Sequence, residues 1–102
     1  MKNFKNFTPH TIVLNDGTQF PSLGLARVSN SFTSFDEDGI CSVRYGDVQG
    51  LPEPETDTFY IVSAMVLAAS SREDLVAPAT GHPDCVRNEK GFIVSVPGFV
   101  RR

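Results

Sequence analysis

Five residues in one loop-rich stretch carry most of the side-chain chemistry of this sequence: Arg72, Asp74, Thr80, His82 and Arg87. Guanidinium groups present planar forks that match phosphate or carboxylate oxygens, so Arg72 and Arg87 together suit an anionic ligand. Loops set on a rigid scaffold are common places for such groups. The competing reading is structural. Arg72 and Asp74 then tether the end of a helix, and Arg87 pairs with Asp84 or Glu89.

Other combinations are weaker. His82 and Asp84 would need a third ligand, such as His10 or Asp47, to hold a metal, and their spacing matches no strong zinc pattern. Cys85 lies near His82, but a nucleophilic thiol needs a lowered pKa and an oriented base, which spacing does not supply. Glu53 and Glu55 point the same way if their loop is extended. A chain of this size has little room for the saccharide cleft that paired carboxylates would serve, so an exposed acidic loop is expected. There is no GxGxxG and no P-loop lysine motif. No catalytic residue, metal or cofactor is assigned.

The elements that must position these residues fit one domain of 102 residues. Apolar residues make up 40% of the chain and charged residues 21%, which excludes a disordered composition. The net charge of -3 argues against non-specific nucleic-acid binding. Cys41 and Cys85 form no CxxC and no disulfide framework. No apolar leader follows Met1, and the longest apolar run is far shorter than the roughly 20 residues of a membrane span. The expected setting is cytoplasmic, with free thiols.

That longest run, Phe59 to Ala69, organises the chain. Phe59 to Val62 reads as a buried strand, and Ala64 to Ala69 switches to helix formers. Ser63 sits at the change and is placed to cap a short helix over about residues 63–71. Residues 1–6 read as a loose lead-in. Thr11 to Leu14 is a strand, and Asn15-Asp16-Gly17-Thr18 a hairpin turn. Gly24 to Val28 reads as another strand, followed by a Ser/Asn-rich segment and the acidic loop Asp36-Glu37-Asp38-Gly39. Ile40 to Val48 has the clearest alternation, with Cys41, Val43 and Tyr45 on one face, as in a half-buried strand. Gly50 to Glu55 is a proline-ordered loop. Leu75 to Ala77 and Phe92 to Val96 are further strands around an irregular segment from Thr80 to Asn88, and Phe99-Val100 can fold back. Phe4 and Phe7 are expected to pack across the sheet.

The fold expected is α+β and mainly β: a small, mostly antiparallel sheet or partly open barrel with one short helix. Antiparallel pairing is inferred from the short connections.

In order along the chain come Phe7-Thr8-Pro9-His10, the Asp-Gly hairpin, Gly50-Leu51-Pro52, Tyr60-Ile61-Val62-Ser63, Arg72 through Thr80 (REDLVAPAT), and Val86-Arg87-Asn88-Glu89-Lys90-Gly91. This pattern resembles a group of small uncharacterised proteins of bacteria, phages and prophages. The resemblance spans Phe7 to Val96 and implies a bacterial or phage intracellular setting. It carries no activity and no catalytic roles.

The leading functional reading is a non-enzymatic binding or accessory protein that acts through protein contacts, as a homodimer or with a protein partner. Its basis is the missing catalytic motif and several short strands whose edges need covering. The alternative is a protein for a small anionic ligand or nucleotide, with enzymatic activity an open question, built on Arg72, Asp74, Thr80, His82 and Arg87. Membrane insertion is not expected, and nucleic acid is disfavoured.

Overall fold

The computed structural model describes residues 2–102. Ten short strands and one helix follow in the order β1 (Asn3–Asn6), β2 (Ile12–Val13), β3 (Gln19–Phe20), β4 (Arg27–Phe32), β5 (Val43–Gln49), β6 (Thr58–Ile61), α1 (Ala64–Ala69), β7 (Leu75–Pro78), β8 (Val86–Arg87), β9 (Ile93–Ser95) and β10 (Phe99–Val100). The fold is mainly β with one short helix, as expected. Among the described residues none of the sheets closes into a barrel.

The central sheet has the order β1-β6-β7-β10, and three two-stranded ribbons surround it: β2-β3, β4-β5 and β8-β9. β6 lies inside because its side chains are aromatic or β-branched; Tyr60, Ile61 and the following Val62 are fully buried. Ser63 accepts the Val66 amide at 3.3 Å and starts α1 where the sequence places it. The connection over residues 62–74, with α1 in its middle, is just long enough to return the chain parallel to β6 as β7. Most strand pairs are antiparallel, but within the central sheet β1-β6 and β6-β7 are parallel. A connection that looked short in sequence carries a crossover, because the helix itself spans it.

The two faces of β6 alternate. Tyr60 and Val62 pack with Ala26, Val66, Leu67, Leu75 and Ala77 under α1. Phe59 points the other way into a phenylalanine cluster, where Phe4 stacks on Phe59 at 5.6 Å and on Phe99 at 5.0 Å. Phe20 meets Phe4 and Phe99 edge-on. Phe4 and Phe7 therefore pack across the sheet, Phe7 against Tyr60. Residues 1–6 are not a loose lead-in throughout: Asn3–Asn6 is an integral strand, paired residue for residue with Thr58–Ile61. Its polar sequence reflects hydrogen bonds rather than freedom.

Two further expectations need correcting. The strand expected at Gly24 to Val28 begins at Arg27 and continues through the Ser/Asn-rich segment to Phe32. The Ile40 to Val48 strand is not half-buried. On β5 only Val48 is partly covered, and on β4 only Val28. These two strands pair only with each other and project from the core as an arm. The radius of gyration, 15.9 Å, exceeds the about 13 Å usual for a compact chain of this length. The molecule measures 52 × 39 × 21 Å along its principal axes. Among the described residues no helix is long and apolar enough to cross a membrane.

Candidate functional site

The five residues proposed from sequence fall into two separate groups, and each is closed by its own hydrogen bonds. Arg72 follows α1. Its Nε donates to Asp74 Oδ1 at 2.9 Å and its Nη2 to Asp74 Oδ2 at 2.6 Å, a bidentate pair. Nη1 donates to the Pro52 carbonyl at 3.0 Å, and the guanidinium lies 5.5 Å from the Tyr60 ring centre. The Tyr60 hydroxyl in turn donates to the Glu53 carbonyl at 3.0 Å. Arg72 and Tyr60 thus clamp the proline loop onto the end of the helix. Bonding to Asp74 raises the Arg72 pKa above its already high ordinary value, so this cation stays charged wherever the protein folds.

The second group lies after β7. Arg87 donates to the Gly91 carbonyl at 3.0 Å and to the Thr80 carbonyl at 3.2 Å, pinning the β8-β9 turn. Its partners are carbonyls, not Asp84 or Glu89. His82 Nδ1 accepts the Asp84 amide at 3.0 Å. Arg72, Thr80 and Arg87 line different surface hollows, so they do not converge on one ligand. Among the described residues no group of three or more His, Cys, Asp or Glu side chains is placed to hold a metal. Glu55 meets Lys5 at 3.0 Å, which raises the lysine pKa, and Glu53 contributes its backbone to the clamp. Cys41 and Cys85 are free thiols, each half-buried.

The clamp has a measurable weight. The Arg72 and Asp74 side chains are 27% and 18% exposed, so the pair is only modestly screened. Lysine at 72 keeps the charge but loses the fork and the Pro52 bond. Arg72→Lys is expected to cost about 1–2 kcal/mol, read as a lower Tm. Arg87→Lys, on the surface, is expected to shift Tm far less. Equal and negligible shifts would show that Arg72 is not a tether.

A different feature stands out, and the sequence reading missed it. The tip of the arm displays Phe32, Phe35 and Ile40 at 67%, 72% and 64% exposure, with Val43 and Tyr45 exposed on the shaft. The tip is built, not frayed. Asp36 accepts the amides of Asp38 and Ile40 at 2.9 and 3.0 Å. The Asp36 amide bonds the Ile40 carbonyl at 2.8 Å, and Thr33 and Ser42 exchange two further bonds at 2.9 and 2.8 Å. An ordered loop therefore holds large apolar side chains in water. The available signal was Asp36 followed by Gly39 between two apolar residues, a turn that presents Phe35 and Ile40 together.

Beside the arm's shaft lies a groove of about 330 Å³ between β5 and the outer face of α1, lined by Tyr45, Gly46, Met65, Ala68 and Ala69. It can receive an apolar side chain and offers no acid–base chemistry. Comparisons with family models, with curated proteins and with solved structures each found no match to the chain.

Proposed function

We propose that this chain is a small non-enzymatic binding or accessory protein that acts through protein–protein contacts made by the β4-β5 arm. One observation carries the reading. The accessible surface is 7097 Å², whereas a compact monomer of this mass shows roughly 5,700 Å². Part of that surface is a projecting ribbon that carries exposed phenylalanine, isoleucine, valine and tyrosine. Large apolar groups held in water on a built scaffold mark interaction surfaces. The anionic-ligand reading is less well supported, because Arg72 and Arg87 already bond a carboxylate and carbonyls within the chain. The setting proposed is the cytoplasm of a bacterium or a phage-infected cell, as the sequence resemblance implies.

Site-specific photocrosslinking in expressing cells tests this. With p-benzoylphenylalanine in place of Phe35, protein adducts are expected. With the same group in place of Phe92, an equally exposed residue on the β8-β9 ribbon, few are expected. No adducts at Phe35, or equal yields at both sites, would defeat the reading.

A further inference from the structure

We infer that the arm's partner is a second copy of this chain, docked so that each arm tip enters the groove beside the shaft of the other arm. This rests on the reading of the arm as a protein-contact element and names its occupant.

The tip and the groove's flank are complementary in kind. Along the tip, Phe35 is followed by Asp36, Glu37 and Asp38, then by Ile40. Asp36 is engaged in its loop, so Glu37 and Asp38 are the carboxylates presented outward. Beside the shaft, the apolar groove formed by Tyr45, Met65, Ala68 and Ala69 adjoins a hollow along Asp47, Ser70, Ser71 and Arg72, and beyond that a hollow of about 360 Å³ past the helix end. Arg72, Arg101, Arg102 and Glu73 lie along that hollow. Arg72 is matched by Asp74, which leaves two arginines against Glu73. Arg101 rests over the Phe59 ring and Arg102 donates to the Ser70 carbonyl; both keep donors free. Apolar residues of the tip thus face apolar residues of the groove, and carboxylates face arginines.

Symmetry and size agree. Two arms laid side by side and antiparallel put tip against shaft groove twice, which is a closed two-fold contact. Ile40 at the tip and Tyr45 at the groove are five residues apart in sequence, up to roughly 17 Å of extended chain, enough to separate tip from groove. A lone two-stranded ribbon is marginal in water, and a neighbouring ribbon covers its open edges. A stable interface needs about 800 Å² from each partner. The surplus surface of the whole chain, roughly 1,400 Å² against a compact monomer, leaves room for such a contact.

Sedimentation equilibrium of the purified chain tests the inference. The expected species is twice the 11.1 kDa chain mass, dissociating on dilution. Phe35→Ser with Ile40→Ser is expected to raise the dimer Kd at least ~30-fold, the size of a hot-spot loss. Glu37→Arg with Asp38→Arg is expected to raise it ~10-fold, and adding Arg101→Glu with Arg102→Glu to restore most of the loss. All these positions are exposed, and unchanged melting verifies the fold. As an independent readout, Met65→Cys in a Cys85→Ser chain is expected to oxidise to a covalent dimer through Cys41 near the tip, and not when Cys41→Ser is added. A wild-type chain that stays monomeric at high concentration, a dimer indifferent to the tip variants, or no Cys41-dependent crosslink would each overturn the inference. If Phe35 adducts to another protein persist beside a monomeric chain, only the second copy is refuted. If those adducts are absent too, the arm reading fails with it.

Discussion

Asn6→Leu is expected to destabilise the protein by about 3–5 kcal/mol, enough to leave much of it unfolded near body temperature. Asn6 is 1% exposed, and its side chain has four partners. Nδ2 donates to the His10 carbonyl at 2.8 Å and the Phe20 carbonyl at 2.7 Å. Oδ1 accepts the Thr8 amide at 2.9 Å and the Thr8 hydroxyl at 2.6 Å. One amide therefore joins the end of β1, the Thr8-Pro9-His10 turn and β3. Leucine has nearly the same size, so little cavity forms. It takes the Asn6 partner from the Phe20 carbonyl and the Thr8 amide, each costing about 1–3 kcal/mol less whatever water can recover, while the His10 carbonyl keeps the Thr8 hydroxyl at 3.0 Å. Urea unfolding reads the loss, and a change below about 1 kcal/mol would show that these bonds do not hold the sheet to the hairpin.

Asn6→Asp separates the hydrogen-bond account from packing. An aspartate there keeps its acceptor toward Thr8 but faces two carbonyls with a carboxylate. Folding then favours the protonated acid, so its folded pKa lies above the unfolded value of about 3.9. This variant is expected to be most stable below that unfolded value and to lose stability as pH rises through the folded pKa. A variant whose stability relative to wild type ignores pH would contradict the geometry.

Asn6 also shows where sequence reasoning stops. A polar strand that supplies hydrogen bonds is indistinguishable from a polar tail until its partner is known. The partner of β1, β6, is some fifty residues away with no local trace. Readings that held rest on local physics. Ser63 before a run of alanine, methionine and leucine starts α1, and Asp16-Gly17 turns β2 into β3, with the Thr18 amide on Asp16 lowering that carboxyl's pKa. The arm was missed for a related reason. Alternation at Val43 and Tyr45 says that a strand has two unlike faces; it does not say that anything covers the apolar one. The candidate site was half legible. Arg72 beside Asp74 suggested a tether, and that pair is present, while the Pro52 and Thr80 carbonyls that complete the two clamps carry no signature in side-chain sequence.

Gly50→Ala is expected to cost about 3–5 kcal/mol, and Gly17→Ala only about 1–2, although both glycines hold the same backbone angle. Their φ values are +92° and +91°, in the region L side chains rarely adopt, so both alanines carry conformational strain. A Cβ on Gly17 would meet nothing within 4 Å, whereas one on Gly50 would sit 2.3 Å from the Leu25 carbonyl oxygen. That oxygen is backbone and cannot swing away, so the chain leaving β5 must separate from the chain approaching β4. The difference between the two variants isolates this close approach at the arm's root. Paired urea titrations measure it, and equal losses would mean that the root can open without penalty. An open root also splays β5 from α1, the two walls of the groove that receives the partner's tip. Gly50→Ala is therefore expected to weaken self-association as well as stability, and Gly17→Ala, far from the arm in sequence and on another ribbon, to leave self-association unchanged.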